Sequence, residues 1–244
     1  MSLGQAALIA ARRTLTGELP PRYADNWVAP FHRELLSVLR TGASVLDVGG
    51  GRSPAVPPSL RPRCCRYVGL DVSAQELTLA PRGSYDEIVP ADVTRLVPRL
   101  EARFDVVVSW QVLEHVKPLA NALANIRAYL RPGGRLIALL SSGTSAFALV
   151  NRLLPARVGI PIAARVMNRR PETVHRAHYD HCYASALERL LAPWSTYEIV
   201  PEYRGAVYFG FSSFVQATYV AYEELAYRRR YANLATHYRI YATR

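Results

Sequence analysis

The chain has 244 residues, half of them hydrophobic, with a formal net charge of +11 and an isoelectric point near 9.9. That size fits one domain, or one core with an insertion, and the apolar content supports a real core rather than global disorder. No run of about 18 uncharged apolar residues is available to span a bilayer. Met1–Ala11 lacks a signal-peptide pattern, and Cys64, Cys65 and Cys182 make no disulfide framework, so a reducing cytoplasmic setting is expected.

Apolar residues at helical spacing from Asp25 to Leu39 predict a helix that stops at Thr41-Gly42. Ser44–Val48 reads as a buried strand breaking into Gly49-Gly-Gly51, where the backbone must bend tightly and approach a ligand closely. Pro54, Pro57 and Pro58 compromise the helix expected next, which should be short or irregular. A second strand runs Arg66–Leu70 to Asp71, and Ser73-Ala-Gln-Glu76 is a capping box opening a short helix. Strands follow at Glu87–Ala91, ending at Asp92, and at the valine-rich Phe104–Ser109. A helix over Leu119–Leu130 stops at Arg131-Pro-Gly-Gly134, before a strand over Arg135–Leu140.

Strands alternating with helices predict a doubly wound, mostly parallel α/β sheet. After Ser141 the rhythm changes. Phe147–Met167 is apolar but broken by Pro155, Gly159 and Pro161; Ala184–Leu191 reads as a helix, Thr196–Val200 as a strand, Phe214–Ala232 as a tyrosine-rich helix and His237–Thr243 as a last strand.

The charge is uneven. No acidic residue lies between Glu114 and Glu172, where Lys117 (the only lysine) and eight arginines fall. Such a patch either attracts an anionic partner or is simply a solvated basic face.

Three consecutive strands end in Asp47, Asp71 and Asp92 at the edge where open α/β sheets bind ligands. The step from Asp47 to Asp71 is close to the roughly 20 residues between a glycine turn and a ribose-binding acid. A carboxylate offers the two acceptors that a ribose diol requires. With Val68-Gly-Leu-Asp71, Ala91-Asp92-Val93, Phe104-Asp-Val-Val-Val-Ser-Trp-Gln-Val-Leu-Glu-His115 and Leu130-Arg-Pro-Gly-Gly134 in order, the chain resembles class I S-adenosylmethionine-dependent methyltransferases of the small-molecule, quinone-biosynthesis type.

The resemblance implies a Rossmann-like sheet of seven strands with a helical lid inserted after strand 5. It divides one domain into a helical cap over 1–42, a cofactor-binding core over 43–141, a lid or acceptor insertion over 142–195 and C-terminal elements over 196–244. It also implies site roles. Asp47, Gly49, Gly50 and Gly51 face the methionine part of S-adenosylmethionine, and Asp71 holds the ribose. Val72 packs on adenine, Asp92 and Val93 bind its amino edge, and Ser109, Trp110 and Gln111 floor the sulfonium. Ser53 departs from the family's third motif glycine. A dinucleotide-dependent dehydrogenase shares the glycine turn and the acid, but predicts neither the Gln-Val-Leu-Glu-His block nor Arg-Pro-Gly-Gly.

Methyl transfer from a sulfonium is an in-line displacement in which alignment contributes most. Ser-Trp-Gln-Val stands where enzymes that methylate nucleic-acid amines carry Asn/Asp-Pro-Pro-aromatic, which argues against exocyclic amine methylation of nucleic acid. Oxygen of a small molecule is the expected acceptor, with an RNA methyltransferase and a non-catalytic binding protein as alternatives. Two histidines are base candidates. His115 follows strand 4 and either faces the site or bridges to a neighbouring helix. His178 belongs to His175-Arg-Ala-His178-Tyr-Asp-His181, which is a lid segment or a surface loop; no metal is expected, since no fourth ligand is evident. Phe147–Arg170, with five arginines and no acid, is either a lid packed on the core or an interfacial element that admits an anionic or lipid-like acceptor and touches a membrane surface. Tyr203, Tyr208, Phe209 and Phe211 either wall an acceptor or pack internally.

Overall fold

The structure, a computed structural model, describes residues 19–146, 148–149 and 177–244. The element expected over Phe147–Met167, His175, most of the expected lid and the first part of the N-terminal cap lie outside the described residues. In chain order the elements are α1 (Ala29–Val38), β1 (Ser44–Val48), β2 (Arg66–Asp71), α2 (Ala74–Thr78), β3 (Glu87–Pro90) and β4 (Phe104–Trp110). They continue with α3 (Leu119–Tyr129), β5 (Leu130–Ser141), α4 (Ala184–Leu191), β6 (Thr196–Glu202), α5 (Ser213–Arg228) and β7 (His237–Thr243).

Seven strands form one sheet in the order β3-β2-β1-β4-β5-β7-β6. The first five are parallel, and β7 enters antiparallel between β5 and β6. Alternation along the strands sorts the core into two faces. Leu46, Val48, Val107, Leu136, Ala138 and Leu140 pack with Leu119, Leu123 and Ile126 of α3 and Leu187 and Leu191 of α4. Val45, Val106, Val108, Ile137 and Leu139 pack on the other face with Phe31 and Leu35 of α1. A strand buried on both faces reads as a continuous apolar run, which is why β1 and β4 stood out in the sequence.

The four largest departures from the expected boundaries each have a local reason. Helix α1 starts at Ala29 rather than Asp25 because Pro30 sits in its first turn, and a proline ring clashes with any preceding helical turn. Between β1 and β2 the proline segment forms only a 3-10 turn, Pro58–Leu60. There the Arg61 guanidinium lies 3.5 Å over the Tyr67 ring and donates to the Val56 carbonyl, covering the sheet where a helix would otherwise pack.

Strand β5 begins at Leu130, paired with Phe104, before Gly133 (φ +77°) shifts the register and pairing resumes at Arg135. Helix α5 ends at Arg228 rather than Ala232. Arg230 is left-handed, and the amides of Tyr231 and Arg230 donate to the carbonyls of Ala226 and Tyr227. That is a Schellman stop made without the usual glycine, so the sequence did not announce it.

The capping box is one-sided. Ser73 Oγ accepts from the Glu76 amide, but the Ser73 amide donates to Asp71 Oδ1, and Glu76 pairs instead with Arg52. Part of the basic stretch is neutralised, since Arg131 pairs with Asp105 and Arg135 with Glu34. Among the described residues no helix is long and apolar enough to cross a membrane.

Candidate functional site

The carboxyl ends of β1, β2, β3 and β4 open onto one cavity of about 1040 Å³. Its first wall is the glycine bend. Gly49 and Gly51 are left-handed (φ +78° and +49°), and the Gly49 amide donates to the Leu70 carbonyl at 2.7 Å. Gly49 and Gly50 have no room for side chains. A Cβ on Gly49 would lie 2.3 Å from Val112, and one on Gly50 would lie 2.4 Å from the Tyr85 hydroxyl, which itself donates to the Gly51 carbonyl. Bare backbone therefore faces the cavity.

Asp71, at the tip of β2, borders the bend: a Cβ on Gly51 would sit 3.5 Å from its Oδ2. Next to it Val72 is 79 % exposed, an apolar side chain held out over the cavity. At the tip of β3, Asp92 Oδ1 accepts from the amide and hydroxyl of Thr94, and Val93 follows it along the wall. Trp110 and Gln111 continue the lining from β4. Trp110 stacks on His32 (5.6 Å, 19°) and meets Phe31 edge-on, while Gln111 is left-handed, a strained conformation of a kind concentrated at functional sites.

Two expected cofactor residues do not reach the cavity. Asp47 is 1 % exposed and turned beneath the bend, where its Oδ2 accepts from the Ala55 amide at 2.7 Å and the Tyr67 hydroxyl at 2.8 Å. Burial pushes its pKa up to about 6 against those two hydrogen bonds. It anchors the proline loop from below instead of facing a ligand. Ser109 is fully buried, its hydroxyl donating to the Val48 carbonyl at 3.3 Å. Period-two alternation sends Ser109 to the opposite side of β4 from its lining neighbour Trp110.

Both histidine candidates line the cavity. The His178 and Tyr179 amides both donate to the Glu114 carbonyl at 2.9 Å, clamping the returning chain on the turn after β4. His181 instead turns outward to Asp180, half exposed. Among the described residues no three His, Cys, Asp or Glu side chains form a metal-ligating group. Of the aromatic candidates only Tyr208 reaches the cavity; Tyr203 packs on Tyr227, Phe209 on Tyr219, and Phe211 points to solvent.

Glu114 and His237 are among the lining residues that sequence reasoning passed over. Glu114 is 3 % exposed; its Oε1 accepts from the Ser141 amide and hydroxyl, and Oε2 has no hydrogen-bond partner. Burial pushes its pKa up, against the favourable field of His115. His237, at the start of β7, packs its ring on Trp27 and shares Nε2 with the Tyr208 hydroxyl at 3.3 Å, leaving Nδ1 unpaired. Burial lowers its pKa to about 4, so the ring is neutral. Glu114 was legible within Gln-Val-Leu-Glu-His. Nothing local marked His237, because only the insertion of β7 beside β5 brings it to this end of the sheet.

A family model described as "Methyltransferase domain" matches residues 22–192. The chain belongs to this methyltransferase domain family. Within solved structures, the methyltransferase fold here is similar to Haemonchus contortus phosphoethanolamine N-methyltransferase 2 in complex with S-adenosyl-L-methionine. The TM-score is 0.53 at 13 % identity, over 89 % of this chain and 52 % of that one. It is also similar to the 4+2 cyclase SpnF, with TM-score 0.51 and 18 % identity over 86 % of this chain and 78 % of that one. An uncharacterized 37.1 kDa protein in transposon TN4556 of Streptomyces fradiae is 34 % identical over 109 residues. That match covers 40 % of this chain and 30 % of the transposon protein. The chain therefore spans a minor part of that relative and about half of the Haemonchus contortus enzyme.

Proposed function

We propose that the protein is an S-adenosylmethionine-dependent methyltransferase acting on a small molecule, with oxygen as the acceptor atom. The observation that carries this reading is one continuous cavity with two chemically different ends. At one end, where the tips of β1, β2 and β3 neighbour one another, the lining is bare glycine backbone, the Asp71 carboxylate, the exposed Val72 side chain and Asp92. That set fits a nucleoside: a carboxylate for a ribose diol, an apolar platform for a base, a second carboxylate for an amino group. At the other end stand Trp110, Glu114, His115, His178, Tyr208 and His237. A volume of about 1040 Å³ is at the top of the range for one drug-sized ligand, which suits a cofactor and a modest acceptor together.

When bound, the cofactor supplies an electrophilic methyl group on a cationic sulfur. The protein's work is to hold and align. Asp71 and Asp92 fix the nucleoside, the glycine bend lets the chain approach closely, and Trp110, braced by His32 and Phe31, limits the acceptor's poses. Orientation of this kind can contribute on the order of 7–11 kcal/mol to a displacement. Four acids line the cavity (Asp71, Glu76, Asp92 and Glu114), a poor surface for a phosphate backbone.

The fold also hosts other chemistry, as the cyclase shows, so the reading is tested in two steps. Calorimetry should detect S-adenosylhomocysteine binding, and S-adenosylhomocysteine should be released from S-adenosylmethionine when hydroxyl compounds are supplied. Absence of binding removes the cofactor assignment. Binding without turnover favours a non-catalytic protein, and steeply salt-dependent RNA binding favours the RNA reading.

A further inference from the structure

Buried polar atoms in folded proteins almost always have hydrogen-bond partners, so each exception needs a cause. Among the described residues, eight buried side-chain nitrogen or oxygen atoms have none, and just two belong to residues that line the cavity: Glu114 Oε2 and His237 Nδ1. They lie 123 positions apart in the chain, and both sit on the β4-β5-β7 side of the sheet: Glu114 follows β4 and accepts from Ser141 of β5, and His237 opens β7 opposite Ser141.

Glu114 is held rigidly. Two Ser141 donors occupy Oε1, and its main-chain carbonyl receives the amides of His178 and Tyr179. The remaining oxygen is oriented and unfilled. His237 is held as firmly, between the Trp27 ring (5.0 Å) and the Tyr208 hydroxyl. Whichever nitrogen of its neutral ring carries the proton, Nδ1 lacks a partner. Removing such an atom's water without a substitute is costly, and a ligand with matching polar groups restores the balance.

We infer that Glu114 and His237 form the acceptor subsite, which takes a neutral compound bearing a hydroxyl next to a second polar group, and that Glu114 is the general base. This rests on the transferase reading above. The hydroxyl points its proton at Glu114 Oε2, and His237 Nδ1 binds the neighbouring group. As the acceptor oxygen bonds to the methyl carbon, the carbon–sulfur bond breaks with its electrons passing to sulfur, and the hydroxyl proton moves to Glu114 Oε2. The products are a methyl ether, S-adenosylhomocysteine and a protonated Glu114, which returns its proton to water. A carboxylate acceptor has no proton to give and is repelled by Glu114.

His237 is the weaker choice of base. Proton transfer is most efficient when the base titrates near the working pH. Burial favours proton uptake by the Glu114 carboxyl and disfavours it at His237.

The test uses the full chain with catechol, methyl glucoside, benzoate and phenethylamine as probes. Turnover should favour a hydroxyl compound over benzoate and phenethylamine. Glu114→Gln should then lower kcat at least 100-fold, the lower end of general-base contributions, while S-adenosylhomocysteine affinity stays within twofold. A separate binding measurement on the S-adenosylhomocysteine complex should show at least tenfold weaker binding of that hydroxyl compound to Glu114→Gln. His237→Phe should weaken its binding too. Preference for benzoate or phenethylamine, or a Glu114→Gln enzyme within threefold of wild type in kcat, overturns the assignment alone. No turnover of any probe by a protein that binds S-adenosylhomocysteine overturns the transferase reading and this subsite with it.

Discussion

The two ends of the cavity are built on different plans. At the glycine end the charged side chains are paired with near neighbours in sequence or across the loop: Asp71 with the Ser73 amide, Asp92 with Thr94, Arg52 with Glu76. At the other end, Glu114 and His237 lie 123 positions apart and each keeps one buried atom unpaired. The first end is complete without ligand and depends on backbone shape. The second is incomplete, and its chemistry depends on what enters. Rigid, locally satisfied geometry suits an invariant cofactor; unpaired polar atoms on elements distant in sequence suit a specific acceptor.

The sharpest way to break this contrast is Gly49→Ala. Its Cβ would press on Val112 in a left-handed backbone, so we expect a loss of roughly 2–4 kcal/mol in stability by denaturant titration. Cofactor affinity should fall with it. A stable Gly49→Ala protein with normal affinity would show that the bend is not tight.

The acceptor end has its own signature in acid. His237 falls from 6.5 to about 4 on folding, so between those values the unfolded chain binds the extra proton. Stability from this group is full above pH 6.5 and is lost as pH drops through 4, by about 3 kcal/mol in total. His237→Phe should flatten that part of the stability–pH curve. An unchanged slope would mean the ring is hydrated in solution.

Asp71→Ala should weaken S-adenosylhomocysteine binding by roughly 1.5–3 kcal/mol, as for hydrogen bonds to a charged group, while leaving the acid limb intact. Equal affinities would remove the ribose role. Ser73→Ala, which strips the cap from α2 beside Asp71, should cost about 1 kcal/mol of stability with little effect on binding.

Much of the fold is legible in the amino-acid sequence. Strands β1, β2 and β4 announce themselves as apolar runs because both their faces are covered, and Ala184–Leu191 and His237–Thr243 matched residue for residue. Misses clustered where the deciding interaction is not a matter of pattern. Helix α5 stops on an arginine in a glycine-like conformation, and the proline loop stands in for a helix by laying Arg61 over Tyr67. The family resemblance placed Asp47 and Ser109 in the site, yet both side chains go inward. Asp47 instead supports the bend as an acceptor for Ala55 and Tyr67.

The amino-acid order alone determined the parallel sheet, the glycine bend and the acids at the tips of β2 and β3. These follow from local rules: alternation, backbone permissiveness and the short distance between a strand's end and the loop after it. Only the tertiary structure decided that Glu114 and His237 share a cavity, that Tyr208 among four aromatic candidates reaches it, and that one oxygen and one nitrogen there lack partners. Those facts depend on β7 running antiparallel between β5 and β6, a long-range pairing that no window of sequence contains.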